Sequence, residues 1–227
     1  MSAPEEARAA VLARIRSALG IAKLDRARRA AVARRLERHP RGTIPVQALL
    51  GPAACVSRLA EMLTTQGAEV ARAATPEDTI NAIASYLASN NLPPRLRTGA
   101  DPRLAALPWK AAWDISRAFG PAEPSDKACL SYALVAAAET GTLFLVSGAD
   151  NPTTLNFLPE FHMVLVKAPD IVGSYEEAWD RLRRIYGERA LPRTVNMISG
   201  PSRTADIEQT IVTGAHGPRR FYVVIQG

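Results

Sequence analysis

At 227 residues with 47% apolar side chains, the chain has enough material for one sizeable core, which excludes a disordered tail as its main character. The net charge of +6 is held by residues 1–41, with 11 basic and 4 acidic side chains, and the remainder carries a net −1 with no aromatics interleaved among basic residues, which speaks against nucleic-acid binding. Two dispersed cysteines, Cys55 and Cys129, exclude a four-cysteine zinc site, an iron–sulfur cluster held by this chain alone and a disulfide framework.

The opening "MSAPEEARAA" lacks the apolar core of a secretory signal, and Glu5, Glu6 and the scarcity of serine argue against a mitochondrial leader. No apolar run approaches the 18 or more residues of a membrane span, so a cytoplasmic protein without a span is expected. Residues 1–41 read as a basic helical arm. Val11, Ile15 and Leu19 precede Gly20, and Leu24, Val32 and Leu36 precede "HPRG". Each stripe is too thin for an independent core, so the arm lies on the body, pairs with a partner or stays mobile.

From residue 53 to 227 the pattern alternates helix and strand. "ACVSRLAEMLTTQG" places Val56, Leu59 and Leu63 on one helical face, and "AEVARA" follows as a strand. "TPEDTINAIASYLASNN" predicts a helix with Thr75 as N-cap, Pro76 in its first turn and Asp78 completing a capping box. Further strands are predicted at residues 95–98, 111–115, 131–138, 143–147, 163–166, 195–199 and 221–225. A helix capped by Ser174 and Glu177 separates the strands at 163 and 195. Strands alternating with helices predict an α/β domain with a mostly parallel sheet, whose ligands would gather beyond the carboxyl ends of the strands.

Three polar turns are candidates for chemistry. In "AAAETGTLFLVSG", Glu139 projects from the end of an alanine- and valine-rich strand and Thr140, Gly141 and Thr142 complete a tight turn; a simple hairpin with a solvated glutamate has the same composition. In "VNMISGPSRTADIEQTIVTG", Gly200 and Pro201 end a strand, and Ser202 or Thr204 would cap a short helix through Ile207 and Ile211 to Gly214. Its free N–H groups, with Ser199, Ser202 and Arg203, suit a carboxylate or phosphate, whereas Asp206 and Glu208 could instead satisfy the helix start themselves. In "TGAHGPRRFYVVI", His216 sits between glycines as an acid–base group or a loop anchor, while His162 in "PEFHMVLV" reads as structural. Asp206, Glu208 and His216 match no metal template, and neither a GxGxxG nor a GxSxG motif is present, so no metal and no cofactor is readable in this chain.

"AAAETGTLFLVSG", "NPTTLNFLPEFHMVLV" and "SGPSRTADIEQTIVTGAHGPRRFYVVI" together resemble the lactate utilisation protein C family, whose domain is called LUD, over roughly residues 53–227. The resemblance implies a Rossmann-like, three-layer α/β/α fold related to sugar-phosphate isomerases and CoA transferases. It also implies a part in bacterial oxidation of L-lactate to pyruvate, as the subunit of a complex whose iron–sulfur clusters sit in its partners. A small anion such as lactate or pyruvate, or a partner surface, would meet the loops at Glu139, Thr140, Gly141 and Thr142 and at Ser199, Gly200, Ser202, Arg203 and His216. In the related CoA transferases a glutamate near a glycine-bearing turn is the nucleophile, and Glu139 stands in a similar setting. The alternative is a free-standing enzyme of that fold acting on a small carboxylate or phosphate.

Overall fold

A computed structural model describes residues 3–20, 26–109, 114–187, 190–205 and 211–227. It divides into two units, Met1–Gly42 and Thr43–Gly227. The first holds helices α1 (Ala3–Ala18) and α2 (Arg26–Arg38). Glu5 and Glu6 in the first turn of α1 and Arg16 in its last oppose the helix dipole. Val11, Ile15, Leu19, Val32 and Leu36 are all exposed, and α2 buries nothing, so this unit is built without a core among its described residues.

The second unit begins with α3 (Pro52–Thr65), β1 (Glu69–Ala73), α4 (Pro76–Ser89), β2 (Arg95–Thr98), a one-turn α5 (Pro102–Ala105), β3 (Ser116–Phe119) and β4 (Ala128–Tyr132). It continues with β5 (Val135–Ala137), β6 (Thr142–Val146), β7 (Phe161–Lys167), β8 (Ile171–Val172), α6 (Tyr175–Tyr186) and β9 (Val195–Ile198). The last elements are β10 (Arg203–Ala205), β11 (Ile211–Thr213) and β12 (Arg220–Gln226). Six strands form an all-parallel sheet in the order β1-β12-β7-β4-β2-β3. Its central strands β7 and β12 are near-continuous apolar runs because both faces are covered.

On one face, Ile80, Ile83 and Leu87 of α4 pack against Leu130, Met163, Leu165, Tyr222 and Val224. On the other, Val164, Val166, Phe221, Val223 and Ile225 meet Leu59 and Leu63 of α3 together with Ala136, Leu143 and Leu145. Those last three belong to a second sheet, ordered β8-β5-β6-β9, in which β6 runs antiparallel to both of its neighbours. Side chains alternate between the faces of a strand. Val135, Ala137 and Phe144 therefore point the other way, onto Ala178 and Leu182 of α6. The mostly parallel α/β sheet is as expected, and the second sheet adds a layer between it and α6.

Both predicted capping boxes form: Thr75 Oγ1 takes the Asp78 N–H at 3.1 Å, and Ser174 Oγ takes the Glu177 N–H at 3.2 Å, each returned by the carboxylate. Three strand and helix expectations change. The strand predicted over 131–138 is two strands in different sheets: Ala133 N–H donates to Leu165 in the large sheet and Leu134 N–H to Phe144 in the small one. The predicted strand at 111–115 falls partly on residues outside those described, and the edge strand starts at Ser116. Of the helix predicted after Ser202, residues 206–210 lie outside those described, and the described flanks, 203–205 and 211–213, form the β10–β11 pair instead, with Thr204 opposite Val212. β-Branched Thr204, Ile211, Val212 and Thr213 favour the extended backbone over the helix that the glycine and serine signals suggested.

Candidate functional site

The turn joining β5 to β6 carries Glu139, Thr140 and Gly141. Gly141 has φ +70°, and a Cβ there would stand 2.8 Å from Met62 Cβ and 2.9 Å from Leu63 N, so only glycine lets the turn close onto α3. Glu139 N–H donates to Gly173 O at 3.0 Å, and Glu139 Oε1 accepts the Tyr175 N–H at 2.8 Å. Tyr175 is the first residue of α6, whose leading amides have no partner inside the helix, so the carboxylate serves as a second cap beside Ser174.

The threonines are equally engaged. Thr140 Oγ1 lies 2.8 Å from Thr142 Oγ1 and 3.0 Å from Tyr175 OH, while Thr142 Oγ1 lies 2.7 Å from both Tyr175 OH and Ser199 Oγ. This hydroxyl cluster ties the turn to α6 and to the end of β9.

A cavity of about 430 Å³ adjoins Ser199. It draws together Ser199, Gly200, Ser202, Arg203 and His216, five of the residues singled out from sequence, whereas Glu139, Thr140, Gly141 and Thr142 do not line it. Asp206 and Glu208 lie outside the described residues. Ser199 and Gly200 follow the carboxyl end of β9, as expected, but the cavity's position on the parallel sheet differs from the expected one. His162 and Phe221, which line it, are the second residues of the parallel strands β7 and β12, so it sits at their amino ends rather than their carboxyl ends.

With no helix at residue 202, the expected row of free N–H groups is replaced by a pinned loop. Ser202 N–H donates to Pro218 O at 2.9 Å, Ser202 O accepts the Gly214 N–H at 2.9 Å, and Ser202 Oγ accepts the His216 N–H at 3.4 Å. Gly200 backs onto the end of α3, where a Cβ would be 3.1 Å from Gln66 Cβ and O. Arg203 is exposed, with its guanidinium over Gly67. Phe157, Met197, Pro201 and Phe221 supply apolar wall.

The floor contains two residues that sequence reasoning did not assign to a site, His162 and Asn156. His162 is 1% exposed, and burial pushes its pKa down to about 3, so the ring is neutral at pH 7. Its Nε2 lies 3.2 Å from Ser131 Oγ, which donates to Asn156 Oδ1 at 3.2 Å, and its ring meets Phe221 edge-on at 5.3 Å. His162 Nδ1 and Asn156 Nδ2 are buried without a hydrogen-bond partner among the described residues. Native proteins pair nearly all such atoms, and each one left unpaired costs about 1–3 kcal/mol. The available signal was a polar residue opening the apolar run "HMVLV", six residues after an asparagine bounded by apolar neighbours.

No group of three His, Cys, Asp or Glu side chains is arranged to hold a metal among the described residues. Cys129 is fully buried with its thiol donating to Leu155 O at 2.7 Å, and burial raises its pKa, as it does that of Cys55. Both thiols therefore stay protonated at neutral pH. No described helix is long and apolar enough to cross a membrane.

The family model described as the LUD domain matches residues 56–226. Among curated proteins, the chain is 33% identical over 113 residues to "Lactate utilization protein C" of Shouchella clausii, covering 49% of each chain. It is 34% identical over 116 residues to the protein of the same name in Anoxybacillus flavithermus, covering 50% of this chain and 51% of that one. The chain thus spans about half the length of the curated relatives it matches. A crystal structure of a DUF162 family protein from Deinococcus radiodurans superposes with a TM-score of 0.59 at 23% identity, over 78% of this chain and 99% of that one, which shows the shared fold.

Proposed function

Because this chain belongs to the LUD domain family, we propose that it acts in lactate utilisation, as the subunit without iron–sulfur clusters in a complex that oxidises L-lactate to pyruvate. The observation that carries this reading is its one-third identity to proteins named for lactate utilisation. The cavity supports it. Its volume is within the usual 300–1,000 Å³ of small-molecule sites, and apolar wall beside a few polar groups suits a small organic acid. Two buried, protonated thiols leave cluster binding and electron transfer to partner subunits. The basic arm offers those partners a docking element, with its exposed apolar stripe and net charge of +7.

The free-standing isomerase or CoA-transferase reading depends on an available Glu139 carboxylate. The bond from Tyr175 N–H ties one oxygen of that carboxylate, Oε1, to the start of α6, which favours a capping role. The test is deletion of the gene from its host, followed by growth on L-lactate as sole carbon source and affinity purification of the tagged full chain. Loss of growth, restored by the intact gene, together with copurifying iron–sulfur proteins is the expected result. Normal growth of the deletion strain rejects the reading.

A further inference from the structure

Two side chains that line the cavity, His162 and Asn156, form one chain of hydrogen bonds through Ser131 behind them. Ser131 Oγ donates to Asn156 Oδ1 and stands 3.2 Å from His162 Nε2. A serine hydroxyl has a single proton, so with that proton on Asn156 the imidazole must donate through Nε2–H. The free ends of the chain are then the His162 Nδ1 lone pair, an acceptor, and the Asn156 Nδ2 hydrogens, donors.

Turning the Asn156 amide over reverses every bond. The amide nitrogen then donates to Ser131, Ser131 donates to Nε2, and the free ends become Nδ1–H and Oδ1. Either polarity leaves one donor and one acceptor. Both ends are buried without a partner among the described residues, in side chains that line the cavity. A trio kept for packing alone would gain by apolar replacement, because unpaired buried polar atoms cost stability.

Resting on the lactate-utilisation reading, we propose that His162, Ser131 and Asn156 are the recognition floor for a 2-hydroxy acid and discriminate against the matching 2-keto acid. The ligand's hydroxyl donates to one free end while a carboxylate oxygen accepts from the other. A keto acid offers acceptors only, so with either polarity of the trio it leaves an acceptor facing an acceptor. Both free ends are shielded from water in this structure, so engaging them takes a shift of the cavity lining. The volume of about 430 Å³ exceeds the needs of a three-carbon acid, so the class includes longer 2-hydroxy acids, whose carbon chains would pack on Phe157 and Met197.

The test titrates the full chain with L-lactate, L-2-hydroxybutyrate, pyruvate and 2-ketobutyrate while the NMR signals of the His162 ring and the Asn156 side-chain amide are recorded. A saturable shift of both signals is expected with at least one hydroxy acid, with its keto counterpart bound at least about tenfold more weakly. His162→Phe should unfold at the same or a higher temperature and still lose at least about tenfold in affinity. Asn156→Leu provides the same comparison should the first variant fail to fold. Equal affinity for hydroxy and keto acids, no shift with either hydroxy acid in the folded protein, or undiminished affinity in both variants overturns the proposal. Growth on L-lactate is scored separately: a deletion strain that fails to grow, beside a purified chain that binds neither acid, removes the floor and leaves the subunit role standing.

Discussion

The turn at Glu139 and the floor at His162 are both polar clusters set into apolar surroundings, and both include side chains within hydrogen-bond reach of a serine. They differ in how their valences are filled. At the turn, Glu139 Oε1, both threonine hydroxyls and Tyr175 OH have protein partners within 3.0 Å. At the floor, Ser131 Oγ has two partners, while Nδ1 of His162 and Nδ2 of Asn156 end without partners among the described residues. A filled cluster stabilises the fold and has little left to offer a ligand. An unfilled one costs stability and retains the capacity to bind. The comparison places the proposed binding site at the unpaired atoms rather than at the more conspicuous charge.

Acid provides the sharpest test of that difference. Burial lowers the His162 pKa to about 3, below the ordinary value near 6.5 that it regains on unfolding. Between those values the unfolded chain binds the extra proton, so stability rises with pH across the window and is lost as pH falls through it; above about pH 6.5 the group contributes no pH dependence. The slope should approach 1.4 kcal/mol per pH unit, accumulating to roughly 4 kcal/mol near pH 3. Urea unfolding of the wild type and of His162→Phe across pH 3–7 isolates this effect from the carboxylates. Parallel curves for the two proteins would mean that the ring is not held neutral by burial.

At the filled cluster the largest effect should come from shape. Gly141→Val places a β-branched side chain at φ +70° with its Cβ against Met62 and Leu63, and should cost about 2–4 kcal/mol through backbone strain and overpacking. Equilibrium urea unfolding measures it. A variant as stable as the wild type would show that the turn is not pressed onto α3.

These two regions also mark how far the sequence could be read. The helix starts at Thr75 and Ser174 were legible because a capping box is a local pattern, and the buried parallel strands because continuous apolar runs announce them. The transfer of the chain between sheets at Ala133 and Leu134 was not, since an apolar run reads alike whichever sheet receives its amides. Ser199, Ser202, Arg203 and His216 were picked out by turn chemistry and do meet at the cavity. His162 was passed over because an orphaned ring nitrogen depends on what folds over it. At the described flanks of the helix expected after Ser202, strands form instead, where glycine and serine signals competed with β-branched residues.

A smaller effect is expected at the cavity rim. Arg203 is exposed, so Arg203→Ala should leave stability within about 0.5 kcal/mol of wild type. If its guanidinium meets the ligand carboxylate, affinity for L-lactate should fall about fivefold, with the loss shrinking as salt screens the pair. Calorimetric titration at low and high salt reads both. An unchanged affinity places carboxylate recognition wholly on the floor.

The smallest effects belong to Glu139, where two substitutions separate a cap from a nucleophile. Glu139→Ala removes the acceptor for Tyr175 N–H and should cost about 1 kcal/mol, the usual loss for a helix cap. Glu139→Gln retains an oxygen at the same reach and gives up only the attraction between a carboxylate and the positive end of α6, about 0.3–1 kcal/mol. A cap therefore predicts a graded loss of stability, alanine beyond glutamine, with growth on L-lactate intact in the glutamine variant. A nucleophile or general base predicts the reverse, because an amide cannot perform either role however well it fits. Thermal unfolding beside the growth assay distinguishes them: a glutamine variant that melts like the wild type but fails to support growth would return catalysis to the turn, and the contrast between filled and unfilled clusters would no longer locate the site.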